Sequence, residues 1–155
     1  MNRQAGVTLI ELAVTIAVLA ILCALSTPNM IAWRNQARIN GAAMEVLSIF
    51  QGARMEAVKR NSKVWVYFDD RADRYLIHVD DGTGGSRGDG VQDEGETVTE
   101  GRMPAGISVA SVTRSPVDFN SRGIAHFGTT ITLSDNGGRR RRVVVSPSGH
   151  SRIGF

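Results

Sequence analysis

The sequence predicts an α+β fold in which a long N-terminal helix, apolar in its first half and amphipathic in its second, packs on a C-terminal antiparallel β-sheet. Three observations predict it. Residues 7–25 form an apolar run broken by one acid, Glu11. Between Ile39 and Ala57 the apolar residues recur in steps of three and four, and after Asn61 the pattern changes to short β-rich runs separated by turn residues. Of the 155 residues, about 125 lie beyond the apolar N-terminus, which suits one small domain with a modest core. The single cysteine, Cys23, allows no intramolecular disulfide, so the fold must stand without a covalent staple.

The apolar run comes first. Val7 to Leu25 is 19 residues with Thr8 and Thr15 as its only hydroxyls, and at ~1.5 Å per residue such a helix nearly crosses a hydrocarbon core of ~30 Å. A carboxylate within it costs on the order of a few kcal/mol, so Glu11 requires a partner. An ordinary secretory signal, cut at Ala24 to Ser26, leaves Glu11 unexplained and discards a helical pattern that continues past the cut. A lipoprotein reading through Cys23 meets the bulky Leu22 where a small residue is wanted. Pro28 lacks an N–H and crowds the carbonyl of Ala24, so a kink is expected there without ending the helix. Ile39, Ala43, Val46, Phe50, Ala53 and Ala57 then draw one apolar stripe for a domain to pack on, with Arg38, Glu45, Arg54, Glu56, Lys59 and Arg60 mostly off it.

The strands follow. Val64 to Phe68 and Tyr75 to Val79 read as a hairpin, and further short runs occur at Ile107 to Val112, Pro116 to Phe119, Ala125 to Phe127 and Thr130 to Leu133. Asp135 to Gly138, "DNGG", turns the chain into "RRRRVVVS" and is the strongest hairpin signal present.

The N-terminus resembles the type IV prepilin signal. A short polar leader, "MNRQAG", precedes "VTLIELAVTIAVLAIL"; Gly6 matches the residue before the cut, Thr8 and Leu9 the stretch after it, Glu11 the fifth position of the processed chain, and Pro28 a proline common at the membrane exit. Val7 stands where that signal usually has phenylalanine. "FNSRG" at Phe119 to Gly123, "TITLS", the glycine turn and "VVVSPSGHSRIG" narrow the resemblance to the GspH/FimT family of minor pilins and pseudopilins. The resemblance implies a leader at 1–6, a transmembrane and assembly helix at 7–28, and a periplasmic globular domain at 29–155. It implies cleavage between Gly6 and Val7 by the prepilin peptidase, N-methylation of Val7, and single-pass insertion in the bacterial inner membrane lipid. Its partners would be other pilins or pseudopilins in a type II secretion pseudopilus or a type IV pilus, where it aids initiation or capping. No enzyme activity and no cofactor are implied. After cleavage the Val7 amine lies four residues from Glu11 at a helix N-terminus, which favours the carboxylate, and in a filament the resemblance implies pairing with a neighbour's amine.

Charge is unevenly distributed. Residues 1–60 carry six basic and three acidic groups, 61–100 four and ten, and 101–155 eight and two. Arg139, Arg140, Arg141 and Arg142 alternate sides of a strand, and with Arg102, Arg114, Arg122 and Arg152 they offer a phosphate-binding surface on which Phe127 and Phe155 would stack bases. Solvated strand residues, or partners for the acidic loop, are the plainer reading. Some members of the family bind DNA through Gly-Arg-x-Arg; here Gly149, His150, Ser151 and Arg152 stand at that place, with the first arginine missing. The segment Asp80 to Glu96 holds only a fragment of a calcium loop, in Asp89, Gly90 and Asp93, and reads as a solvated hairpin tip. His78, His126 and His150 are isolated in sequence and read as strand residues, and no nucleophile elbow, zinc-protease motif or phosphate loop is present.

Overall fold

The structure, a computed structural model, describes residues 8–154, without the side chains of residues 25–29. The chain divides into two compact units, Met1–Gln36 and Ala37–Phe155. Helix α1 (Leu9–Arg60) supplies the first unit and opens the second. At its start the Glu11 N–H donates to Thr8 Oγ1 at 3.3 Å, so Thr8 caps the helix. Through the first unit the large apolar side chains, Leu9 to Leu22 and then Met30, Ile31 and Trp33, are exposed. Among the described residues no helix is long and apolar enough to cross a membrane. The Pro28 side chain, and with it the expected kink, lies outside the described residues.

In the second unit the stripe read from the sequence is the buried face of α1. Ile39, Ala43, Val46, Phe50, Ala53 and Ala57 are all at most 1 % exposed, and Ala42 and Ile49 widen the stripe. The helix stops because Asn61 adopts a left-handed conformation (φ 50°). The N–H of Ser62 then bonds the Ala57 carbonyl at 3.1 Å and that of Asn61 the Val58 carbonyl at 3.3 Å, satisfying two terminal acceptors.

Eight strands follow: β1 (Lys63–Asp69), β2 (Arg74–Asp80), β3 (Thr97–Arg102), β4 (Ile107–Val112), β5 (Val117–Phe119), β6 (Thr129–Asp135), β7 (Arg140–Val145) and β8 (Ser151–Gly154). They form two antiparallel sheets rather than one. The first, sheet A, has the order β3-β2-β1-β5 and the second, sheet B, β4-β6-β7-β8. The strands interleave, since β4 precedes and β6 follows a strand of the other sheet. Inward residues of both sheets, Val64, Val66, Val117 and Phe119 from one and Val109, Ile131, Leu133, Val143 and Val145 from the other, join the helix stripe in one core. Phe50 stands at its centre, with ring centroids 5.6 Å from Phe68 and 6.3 Å from Phe119.

Three local expectations are corrected. The run Ala125 to Phe127 forms a single bridge, between Phe119 and Ala125, rather than a strand. β3 has no counterpart in the sequence reading: as an edge strand, "TVTEGR", it is polar on both faces and leaves no alternation to detect. Of the three histidines only His78 lies on a strand; His126 and His150 lie in turns.

Candidate functional site

Gly6 and Val7, the expected processing site, lie outside the described residues, as does the Pro28 side chain. Glu11 is described and exposed. With Thr8 it makes one half of a capping box, Thr-x-x-Glu, a local role that the sequence reading passed over.

The eight arginines read as a phosphate surface are not brought to one face. Val143 and Val145 point into the core, so Arg141 shares their side of β7 and Arg140 and Arg142 take the other, with Arg139 just before the strand. Arg139 Nε donates to Asp135 Oδ2 at 2.8 Å, and Arg141 Nε to Asn40 Oδ1 on α1, also at 2.8 Å. The Arg139 hydrogen bonds, outweighing partial burial, hold the Asp135 carboxyl below the usual range. On the outer face Arg142 stands opposite Gly154 and Val144 opposite Arg152, which sets Arg152 diagonally beside Arg142. The adjoining β6 positions are Thr130, Thr132 and Ser134, opposite Val144, Arg142 and Arg140. Arg140, Arg142 and Arg152 thus share a hydroxyl-bearing face. Arg102 is on β3 of the other sheet, opposite Arg74, and Arg122 is in the Asn120 to Gly123 turn. Arg114 lies over the Phe127 ring, 4.6 Å from its centroid, and His126 packs on the same ring at 4.0 Å. Phe127 is therefore already stacked, and Phe155 lies outside the described residues.

The glycines of the C-terminal pattern meet in space. Gly149 has φ +80°, and a Cβ on it would come within 2.1 Å of the Gly123 carbonyl oxygen, so only glycine fits this approach.

The segment Asp80 to Glu96 is exposed over most of its length, as a solvated tip would be, but it is anchored by its two buried end residues. It folds back over the outer face of the first sheet, where Lys63, Trp65, Tyr67 and Asp69 alternate with the inward valines and Phe68. Asp80, fully buried, accepts from the N–H groups of Gly88 and Gly90 and from Trp65 Nε1 at 3.2 Å. Gly90 (φ +80°) sits so close to the indole that a Cβ would come within 2.8 Å of it. Tyr67 donates its hydroxyl hydrogen to the Gly90 carbonyl at 3.2 Å. Burial, reinforced by the charges of Asp80 and Asp118, pushes its phenol above the ordinary value. At the other end of the loop Glu96 accepts from His78 Nε2 at 2.5 Å and from the Asp93 and Gly82 N–H groups. Burial opposes ionisation of Glu96, yet those hydrogen bonds prevail and hold its carboxyl below the usual range. His78 Nδ1 is buried and has no partner among the described residues.

Of the two acids counted as a calcium fragment, Asp89 accepts from the Val91 N–H while Asp93 Oδ2 is buried without a hydrogen-bond partner, and among the described residues no group of three or more His, Cys, Asp or Glu is placed to hold a metal. Beside the loop remains an open pocket of about 360 Å³, lined by Tyr67, Asp69, Arg74, Leu76, His78 and Glu100 among others. Sequence reasoning missed this arrangement. The available signal was period-two placement of Trp65, Tyr67, His78 and Asp80 on one face.

Comparison with known proteins accords with the geometry. The profile of the prokaryotic N-terminal methylation motif matches residues 1–27, and that of the type II transport protein GspH matches residues 42–149. The pilin-like protein PilA1 of Thermus thermophilus is 29 % identical over 158 residues, covering 99 % of each chain. Among solved structures the fold is similar to the type IV minor pilin FimU of Pseudomonas aeruginosa, with TM-score 0.59 and 17 % identity over 79 % of this chain and 92 % of that one. It is also similar to the minor pseudopilin EpsH of Vibrio cholerae, with TM-score 0.57 and 13 % identity over 75 % and 95 %, and to GspH of Escherichia coli, with TM-score 0.58 and 13 % identity over 77 % and 89 %. A helix stripe closed by two antiparallel sheets fills the region that the family profile matches, and the chain belongs to the type II transport protein GspH family.

Proposed function

We propose that this chain is a minor pilin or pseudopilin that is cut between Gly6 and Val7, N-methylated on Val7, held in the bacterial inner membrane by residues 7–28, and assembled through that helix with other pilins, where it aids initiation or capping. The observation that carries the reading is the run of exposed apolar side chains from Leu9 to Leu22 behind a methylation motif. A helix apolar on every side finds no partner in its own first unit and needs lipid or neighbouring helices. Within such a bundle Glu11 would be neutralised by the new Val7 amine of its own or an adjoining subunit. Mass spectrometry of the native N-terminus tests the processing: a chain beginning at methylated Val7 is expected, and one beginning at Thr27 would instead mark ordinary secretion. Glu11→Val is expected to insert in the membrane yet enter filaments at least about tenfold less; undiminished incorporation overturns the pairing.

A second reading, binding of DNA for uptake, has one observation in its favour, the outer face that carries Arg140, Arg142 and Arg152. The aromatic support it would want is engaged elsewhere, since Phe127 already stacks with Arg114 and His126. Arg139 and Arg141 are tied to Asp135 and Asn40.

A further inference from the structure

We propose that the cleft over strands β1 and β5, beside the segment 124–126, binds the head of a small α-amino acid, with its ammonium on Asp118 and its carboxylate between Lys63 and Asn120. The inference concerns the second unit alone and does not depend on the chain's entering a filament.

The cleft, of about 410 Å³, is lined by Lys63, Asp118, Asn120, Ile124, Ala125 and His126. Its decisive feature is an anion without a donor. Asp118 stands opposite Trp65 on the outer face of sheet A, and its side chain is only 9 % exposed. Among the described residues no N–H or O–H donates to its carboxylate, and its one ion-pair partner, His126 Nδ1, stands at 3.8 Å, beyond hydrogen-bond reach. The other buried carboxylates are answered: Asp80 by Gly88, Gly90 and Trp65, and Glu96 by His78, Gly82 and Asp93. Burial of an ionised carboxylate is costly unless donors meet it. The Asp118 oxygens are not sealed from solvent as His78 Nδ1 is, so a donor can reach them through the cleft.

The rest of the lining states what else the ligand carries. One step beyond the pair of Val64 with Phe119, Lys63 comes opposite Asn120 and diagonal to Asp118. Its Nζ donates to the Gly88 carbonyl at 2.9 Å, which leaves two ammonium hydrogens, and it makes no ion pair with Asp118. Asn120 Oδ1 accepts from the Arg122 and Ile124 N–H groups, so its Nδ2, without a partner among the described residues, is the end left to donate. Donors on one side and a lone acceptor on the other suit a cation and a carboxylate joined through one carbon. Ile124, half-exposed, and Ala125 give an apolar wall for a short aliphatic side chain. A simple anion would be repelled by Asp118, and a simple cation by Lys63. No bare ring is offered for a saccharide to stack on, since Gly90 covers the Trp65 indole while Arg114 and His126 pack on Phe127. A metal ion would find only Asp118 and His126 among the described residues.

The test dialyses the full chain, in nonionic detergent micelles, against radiolabelled L-leucine, with empty micelles as the blank. Saturable binding of one leucine per chain is expected, with Kd below about 1 mM. 3-Methylbutylamine and 4-methylpentanoate keep the side chain and lose one charge each, and each displaces the label at least about tenfold less well than leucine. Asp118→Asn and Lys63→Met each weaken binding at least about tenfold. Leucine raises the Tm of the wild type but not that of Asp118→Asn. Without leucine Asp118→Asn melts no lower than wild type, because it removes a buried charge that no donor meets. Absence of saturable binding, binding that either substitution leaves unchanged, or displacement by the amine alone as effective as that by leucine overturns the proposal. An Asp118→Asn chain that melts below wild type overturns it as well, by giving the carboxylate a structural role.

Discussion

Asp80 is the residue on which the long β2–β3 loop depends. It is fully buried and holds two loop N–H groups and the Trp65 indole with one carboxylate. Each donor orphaned in a buried site costs about 1–3 kcal/mol, so Asp80→Ala is expected to destabilise the second unit by about 3 kcal/mol and to open residues 81–96 to limited proteolysis. Unchanged cleavage there would mean that the loop is held by other contacts. Glu96 adds a pH dependence of defined sign. Its carboxyl is held below the ordinary glutamate value, so its contribution is fully present above about pH 4.3, the value in an unfolded chain, and is lost as pH falls through the lower folded value. The difference in urea midpoint between wild type and Glu96→Gln is therefore largest at neutral pH and shrinks in acid; a constant gap would deny Glu96 its ionised role. Both acids were visible in the sequence as members of an acidic segment, but not as buried ones. Burial of a carboxylate depends on donors brought from Gly82, Gly88, Gly90 and Asp93, and no local pattern states where those N–H groups will point.

Among the elements, helix α1 was the most legible. Most of its buried residues, all but Ala42 and Ile49, were named by spacing alone, because a 3.6-residue period forces one face of any helix toward a core wherever that core lies. The two faces of this helix make a sharp comparison. Phe50 is buried between Phe68 and Phe119, so Phe50→Ala is expected to cost about 3–5 kcal/mol in urea unfolding. Met55, five residues on, is exposed, and Met55→Ala should cost less than about 0.5 kcal/mol. Equal losses would contradict the assigned face. Strands differ in their alternation: β1 and β6 show it, β4 shows it only before its bulge, and β3, polar on both faces, does not. The run Ala125 to Phe127 has strand-like composition but pairs through one bridge only, since the Asn120 carboxamide oxygen already binds the Arg122 and Ile124 N–H groups and turns the chain there.

For the whole molecule, order along the chain and order in space differ, and the difference carries the functional argument. The sequence by itself determined the class: an apolar helix, an amphipathic continuation and then strands. It also determined that acids gather in 61–100 and arginines after 101. These follow from periodicity and composition, which are local quantities. Only the tertiary structure decided that the strands divide into two sheets, that Arg102 and the Arg140–Arg142 run fall on different sheets, and that Gly123 meets Gly149. It alone decided which arginines of the run face outward and that His78, Asp69 and Glu100 line one pocket. The reason is physical. Strand pairing joins residues that are distant in sequence through backbone groups that every residue carries, so partner choice is settled by the shared core and not by any single segment.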